Sequence, residues 1–506
     1  IPQDMRAMHS ISMVQWTRTV MLLLLPILIP LAGALLTALL PIDGRGRPAL
    51  GVAAALAQLV AAGMLLSGLP EGGRLSLMLG NWPQPYGIEL VADTLSAALV
   101  LVSALLGLVV LLYSLGQDGS KNAAQDATAT PLMLGLLASV AAVFLAADLF
   151  NLYVWFELML ITTLGLLVSR GSLRGNEAAF KYLAMNLVGT LLLLMAVALI
   201  YAASGQLNFA SLQVAGQWPE VAAGLRPYLG LLLLALLLKA GALPLFAWLP
   251  ASYPVLPPAV LALVGGLLTK VAAYVLLRLT GQVFAVPELW LEALGWLALL
   301  TMFVGVLGAA YHWDVRRILA LHIVSQVGYL LLGIALASPA AAAGTTYFAI
   351  HNILVKANLF LIAGLMFASA GHYDLRRIGG LYAARPLLAV LFLISAFSLV
   401  GVPPSTGFWG KFMLLKEAFE QQRYVWGGGA LAVGLLTLYS MSKIWLEGFW
   451  KAHPASTASA ATIPPPAYAA VLLLTGLILV MGLYPEPFIH LAQVATAGFW
   501  NPGGVP

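Results

Sequence analysis

The sequence predicts an all-α integral membrane protein of about fourteen transmembrane helices, built from two inverted five-helix repeats with broken helices 7 and 12. Three observations predict it. The chain has 506 residues, of which 61% are hydrophobic and 8% charged, with a mean hydropathy of +0.96; soluble domains carry about 25% charged residues. Its apolar residues fall into long runs of about 20, the length needed to cross a bilayer core as a helix. Two of those runs are interrupted by proline and glycine at mid-depth.

The runs lie near residues 19–41, 49–69, 91–115, 131–149, 150–169, 178–202, 227–250, 255–280, 288–310, 317–338, 344–369, 386–419, 427–449 and 467–490. The amino-terminal IPQDMRAMHSISMVQW carries Asp4, Arg6 and His9 and no A-x-A-like cleavage site, so the first run reads as a retained helix. The division of the fourth and fifth runs at Asp148–Asn151 interrupts a nearly continuous apolar stretch. The organisation expected is helices 1–2 in 1–90, helix 3 in 91–130, a first repeat in 131–280, a second in 281–450, and helix 14 with the tail in 451–506.

Odd-numbered connections hold Arg45, Arg47, Lys121, Arg170, Arg174, Arg316, Arg317, Arg376, Arg377, Arg385 and Lys451. The opposite side holds Arg6, Arg18, Arg74, Arg226, Arg278 and Arg423. The positive-inside rule then makes the odd connections cytoplasmic and puts both termini outside. A bacterial inner membrane is the expected location.

In the seventh run, LLLKAGALPLFAWLP puts Gly241 and Pro244 just after Lys239. In the twelfth, SLVGVPPSTGFWGKF puts Gly401, Pro403, Pro404 and Gly407 just before Lys411. Proline removes a backbone hydrogen bond that lipid cannot replace, so each break must be buried in protein or face water. The matched breaks, five helices apart, predict two units of opposite topology, as in transporters with discontinuous helices at the midplane.

Seven lysines fall within the apolar runs: Lys181, Lys239, Lys270, Lys356, Lys411, Lys416 and Lys443. A charge at bilayer depth costs about 2.5–3.5 kcal/mol even on the lenient insertion scale, and such groups usually line a wet cavity or an ion path. Glu157, in LFNLYVWFELML, is either a carboxylate reaching the interface or a partner that switches a lysine between charged and neutral forms. Lys239 follows an unbroken LLLLALLL, which leaves little room for snorkelling. Lys270 is either a proton carrier or a charge satisfied by carbonyls near Pro257–Pro258. His322 has Ser325 and Gln326 beside it, and Lys356 has His351, Asn352 and Asn358; each group reads as a proton or water path or as a structural network. Lys411 ranks with Lys239. Lys416 reads as an interfacial helix end beside Glu417 and Glu420, and Lys181 as a residue near its helix start. Lys443 and Glu447 have the spacing of a pair on one helix face. Asp148 either caps the fifth helix or biases Glu157, and Asp93 is an expected N-cap.

Cysteine is absent, which excludes disulfides, thiolate zinc sites and cysteine-ligated iron–sulfur clusters. There is no Walker A loop, no H-E-x-x-H, no nucleophile elbow and no tight set of metal ligands, so no catalytic residue, metal or cofactor is expected. No basic run with interleaved aromatics suggests nucleic acid.

LFNLYVWFE with Glu157, KAGALPLFAWLP with Lys239, LLTK with Lys270, HNILVKANLFL with Lys356 and GVPPSTGFWGKF with Lys411 together resemble the antiporter-like subunits shared by respiratory complex I and multisubunit cation/proton antiporters. The likeness runs from about the third helix to the thirteenth. The FNLYVWFE phrase, a lysine at 411 and an end soon after helix 14 narrow it to the D-type subunits of Mrp-type sodium/proton antiporters. The resemblance implies that Glu157 pairs with Lys239, that Lys270 bridges to the centre, that His322 and Lys356 continue the axis, and that Lys411 ends the second half-channel. It implies H+ and Na+ as the ions, and subunits of the A, B, C, E, F and G types as membrane partners. The segment SYPVLPPAVLALVGGLLTK departs from relatives that often carry a histidine there, so water access at that point is expected to differ. A pumping subunit of complex I or of a membrane-bound hydrogenase is the alternative, and a silent scaffold is the third.

Overall fold

The computed structural model describes residues 3–40, 46–70, 73–82, 87–116, 123–169, 171–452 and 463–500, and for 3–16, 81, 123–127 and 219 the backbone alone. Arg45, Lys121, Arg170, the side chains of Asp4, Arg6 and His9, and both chain ends therefore lie outside the described residues. The helices are α1 (Gln3–Leu39), α2 (Gly46–Ser67), α3 (Thr94–Leu115), α4 (Ala123–Leu145), α5 (Leu149–Val168), α6 (Leu173–Ser204), α7 (Phe209–Ala215), α8 (Pro219–Ala240), α9 (Trp248–Ser252), α10 (Pro258–Arg278), α11 (Glu288–Tyr311), α12 (Val315–Ala335), α13 (Pro339–Ala370), α14 (Leu381–Ala384), α15 (Pro386–Val400), α16 (Thr406–Glu420), α17 (Tyr424–Ile444), α18 (Pro465–Leu483) and α19 (Glu486–Thr496).

Thirteen helices among the described residues are long and apolar enough to cross a membrane. The expected twelfth run is divided between α15 and α16, on either side of the proline break. Three features were not foreseen: the hairpin β1 (Leu75–Met78) with β2 (Glu89–Ala92), the short α7, and the terminal α19. The fourth and fifth runs part at Ala146–Asp148, where Asp148 caps α5 by accepting from the Asn151 amide. Asp93 caps α3 through a reciprocal box with Ser96.

Position in the bundle follows from which sides of a helix are apolar. The spans in α10 and α12 are wholly buried within the protein, and that of α13 nearly so, whereas those of α1, α2, α8 and α17 are mostly exposed to the surround. The three central helices carry Lys270, His322, Ser325, Gln326, His351, Asn352 and Lys356. These polar groups are enclosed by other helices, which rules out snorkelling for them.

Two local constructions occur twice at a constant register. Asp148 bridges Asn208 and Asp314 bridges Asp374 as isolated antiparallel pairs. The amides of Leu149 and Phe209 bond Leu207 and Ala147, as those of Val315 and Leu375 bond Tyr373 and Trp313. Ser172 and Ser338 cap α6 and α13, each of 32 residues, and each helix ends on a left-handed glycine, Gly205 and Gly371. The helix interruptions match as well. α8 ends at Gly241 (φ 76°) and α15 at Gly401 (φ 92°), conformations glycine adopts without a Cβ penalty. In each, the amide after the glycine reaches back five residues, Ala242 to Leu237 and Val402 to Phe397.

Candidate ion-transfer site

The seven lysines sort into two kinds. Lys181 and Lys416 are exposed and pair with Glu177 and Glu420 one turn away. Lys239, Lys270, Lys356 and Lys411 are at most 6% exposed. Lys443 lies between, with its ammonium on the Ala310 and His312 carbonyls and over the Trp313 ring. The expected Lys443–Glu447 pair does not form; Glu447 bonds Lys451 at 2.8 Å. The reason is local. A wide π turn follows α17 from Trp445 to Trp450, and it carries Glu447 out of the α-helical register that the spacing assumed.

Lys239 ends α8 just before the break. Its ammonium donates to Thr190 Oγ1 on α6 at 2.9 Å and lies 5.3 Å from the Phe156 ring centre. Glu157 is near enough to act on it electrostatically, yet the Glu157 Oε1 is buried without a hydrogen-bond partner. No ion pair joins the two among the described residues. α8 packs on α10, where Lys270 donates to the Gly265 carbonyl five residues back, at 2.9 Å, rather than to carbonyls at Pro257–Pro258.

Beyond Lys270 the polar groups lie close together. Lys356 is fully buried, its ammonium has no protein partner, and it feels the charges of Lys270 and Lys411. His351 is also fully buried with both ring nitrogens unpartnered, and it feels Lys411, Lys356 and Lys270. His322 Nε2 lies 3.0 Å from Ser440 Oγ on α17. Ser325 Oγ, both polar ends of Gln326 and Asn352 Oδ1 have no partner. Gly407 makes room for His351: a Cβ there would lie 2.9 Å from the imidazole.

Lys411, on α16, reaches back across the break and donates to the carbonyls of Leu399 and Val400 at 3.1 and 2.8 Å. Those oxygens are available because both Gly401 and Val402 amides bond Phe397 instead. The Lys411 ammonium also lies 4.9 Å from the Tyr329 ring centre, a favourable cation–π distance.

Thr190, Tyr329 and Ser440 touch these groups and were not singled out from sequence. The signal for Thr190 was one hydroxyl within NLVGTLLLL, which nothing local separates from a helical threonine bonded to its own backbone.

A family described as NADH:quinone oxidoreductase/Mrp antiporter, transmembrane, matches residues 146–438. The chain belongs to that family. The matched segment includes Glu157, Lys239, Lys270, His322, Lys356 and Lys411. A D-type Na+/H+ antiporter subunit from Alkalihalophilus pseudofirmus is 38% identical over 477 residues, 94% of this chain and 96% of that protein. One of the same name from Bacillus subtilis is 38% identical over 433 residues, covering 84% and 86%. Among solved structures, a chain of the Mrp complex from a Dietzia species superposes with a TM-score of 0.87 at 30% identity, covering 97% of this chain and 98% of that one. A chain of respiratory complex I from Thermus thermophilus with bound NADH superposes at 0.81 and 25% identity, covering 94% and 99%.

Proposed function

We propose that this chain is the D-type, proton-carrying subunit of a Mrp-type sodium/proton antiporter in a bacterial inner membrane, where it works with subunits of the A, B, C, E, F and G types. One observation carries the reading: four lysines and two histidines are enclosed along interlocked helices with no carboxylate bonded to any of the ammonium groups. An unpaired charge in such surroundings is costly and is retained where charge must pass. The many polar side-chain atoms beside them without protein partners fit a hydrated route, since buried polar groups are rarely left unsatisfied.

Protons would move along Glu157, Lys239, Lys270, His322 with Lys356, and Lys411. Asp148, Ser325, Gln326, His351 and Asn352 support the path. Glu157 and Lys239, within electrostatic reach but unbonded, represent the parted form of a pair. When they join, the carboxylate favours the protonated amine; when they part, the amine releases its proton onward. A unit charge crossing 100 mV is worth about 2.3 kcal/mol, equal to moving a pKa by about 1.7, so one such pair is strong enough to couple to the membrane potential. The two matched interruptions, one per five-helix unit, support inverted repeats, because an odd number of crossings reverses the second unit. The basic residues of the odd connections support a cytoplasmic location for that end.

Lys239→Ala or Glu157→Ala is expected to abolish sodium/proton antiport in everted vesicles while the complex still assembles. Full activity in an assembled Lys239→Ala complex refutes the path. The likeness to a complex I chain keeps a redox-driven pump as the second reading. Co-purified iron–sulfur or quinone-binding subunits would establish that reading, and small antiporter subunits the first.

A further inference from the structure

The second unit carries a repeat that the first lacks. HWDVRRI at 312–318 returns as HYDLRRI at 372–378, with Tyr373 for Trp313 and Leu375 for Val315. The Asp314–Asp374 bridge lays the two copies antiparallel, the Val315 amide on the Tyr373 carbonyl and the Leu375 amide on that of Trp313. In each copy the first arginine folds back on its own aspartate, Arg316 at 2.9 Å and Arg376 at 2.7 Å. Each also lies over the ring of the other copy, Arg316 3.8 Å from the Tyr373 centre and Arg376 5.8 Å from that of Trp313. The first unit makes the same bridge from Asp148 and Asn208 with Phe150, Asn151, Ala210 and Ser211 at the four arginine positions. The backbone construction therefore does not need the arginines. Orientation in the membrane asks for positive charge in these connections, but not for two registered copies of it.

The second arginine of each copy is left over. Arg317 and Arg377 are exposed, and among the described residues neither side chain makes an ion pair or a hydrogen bond. They act on His312 and Asp374 through their fields, while Asp314 and Asp374 are bonded by Arg316 and Arg376. Nearby, Lys451 is taken by Glu447 at 2.8 Å, and the Lys443 ammonium turns inward to the Ala310 and His312 carbonyls. These groups share one face, because the Gly380 amide bonds the Lys451 carbonyl at 2.6 Å and the Lys451 ammonium the Arg376 carbonyl at 3.5 Å. The face stands where membrane-crossing spans stop: those of α11 and α13 end at Tyr311 and Ala370, and that of α12 starts at Val315. Exposed aromatics flank it, Tyr311 at 80% and Trp450 at 65%, with Trp313 and Tyr382. Tyrosine and tryptophan gather at the headgroup level of a bilayer.

We propose that Arg317 and Arg377 form a binding surface for the phosphate headgroups of anionic phospholipids, at the end of the bundle where the connections after α11, α13 and α17 meet. A guanidinium matches the oxygens of a phosphate with paired donors. The Arg316–Asp314 and Arg376–Asp374 pairs add no net charge; through the opposite rings they fasten the two copies to each other and so fix where the free arginines stand. The chemistry recognised is a phosphate anion, and the flanking aromatics make lipid its source. A soluble phosphate has only the two exposed charges to hold it, and salt screens those. Lipid binding here is independent of the function proposed above.

The test is lipid retention by the whole complex, purified in mild detergent and washed in stages, with phospholipids read by mass spectrometry. Wild type is expected to keep phosphatidylglycerol after phosphatidylethanolamine has gone, and added phosphatidylglycerol should raise its unfolding temperature. Inorganic phosphate at the same concentration should not. Arg317→Gln with Arg377→Gln should weaken the binding by about thirtyfold, which is about 1 kcal/mol for each arginine near a membrane surface. Arg317→Lys with Arg377→Lys keeps the charge, and with it the orientation in the membrane, and should bind within about threefold of wild type. Equal retention of phosphatidylglycerol by wild type and the glutamine variant overturns the proposal, as does equal stabilisation by inorganic phosphate. A glutamine variant that keeps its lipid but loses a protein subunit also overturns it, and makes this face a contact for an acidic partner segment.

Discussion

Lys239 hangs from the helix before its break, whereas Lys411 rises from the helix after its own, and the two ammonium groups are held by different chemistry. At the end of α8 the Leu237 carbonyl is taken by the Ala242 amide, and that of Leu238 by the Gly241 amide and the Trp248 indole at 3.1 Å. Lys239, on that same last turn, donates instead to a hydroxyl of another helix, Thr190, and lies in the field of Glu157. At the end of α15 the Phe397 carbonyl, at the register of Leu237, is likewise taken, by the Gly401 and Val402 amides, and Lys411 reaches across the break to the carbonyls of Leu399 and Val400. One lysine is held by a hydroxyl on a neighbouring helix, the other by the negative end of a helix. The same backbone device thus stands beside a side-chain-held ammonium in one case and a dipole-held one in the other.

The largest effect that would break this contrast is on stability when each lysine is removed. Both Lys239→Met and Lys411→Met are expected to abolish antiport. Only Lys411→Met should also destabilise the complex, by about 1–3 kcal/mol, because two buried carbonyls lose their donor. Lys239→Met leaves a threonine hydroxyl that turns back to its own helix. Thermal unfolding of the purified complexes measures the difference, and equal losses for the two variants would remove the distinction drawn here.

A middle-sized effect sharpens it. Thr190→Val keeps the shape of the side chain but removes the hydroxyl that accepts from Lys239. With only Glu157 left as a partner, the pair should stay joined for longer. Antiport is expected to fall about tenfold, the factor of one hydrogen bond worth about 1.4 kcal/mol, while Thr190→Ser retains most activity. Unchanged rates in Thr190→Val would show that the hydroxyl is a bystander.

The contrast also marks where sequence reading reaches its limit. The runs, the two breaks and the buried lysines were legible because length, proline and a charge in an apolar helix are local signals, and α15 and α16 part where Pro403 and Pro404 fall. What was not legible depends on partners distant in sequence. Lys181 and Lys416 already read as residues near helix ends and prove exposed, but which groups bond Lys239, Thr190 rather than Glu157, showed only with neighbouring helices in place. Glu89 stood in a segment with no motif, and its partner Asn208, 119 residues on, is brought to it by the small bridges between connections. Lys443 failed by spacing alone, because the π turn after α17 moved Glu447 to Lys451.

The smallest expected effect lies at the other end of the doubled construction. Arg376 closes on Asp374 with two nitrogens, and its side chain is 63% exposed. An ion pair this open to solvent contributes little, because water and salt screen it and ordering the side chain costs entropy. Arg376→Gln is therefore expected to leave unfolding temperature and antiport rate within error of wild type. Thermal unfolding of the purified complex checks this, and a fall of several degrees in Arg376→Gln would mean that the pair is far less screened than its exposure implies.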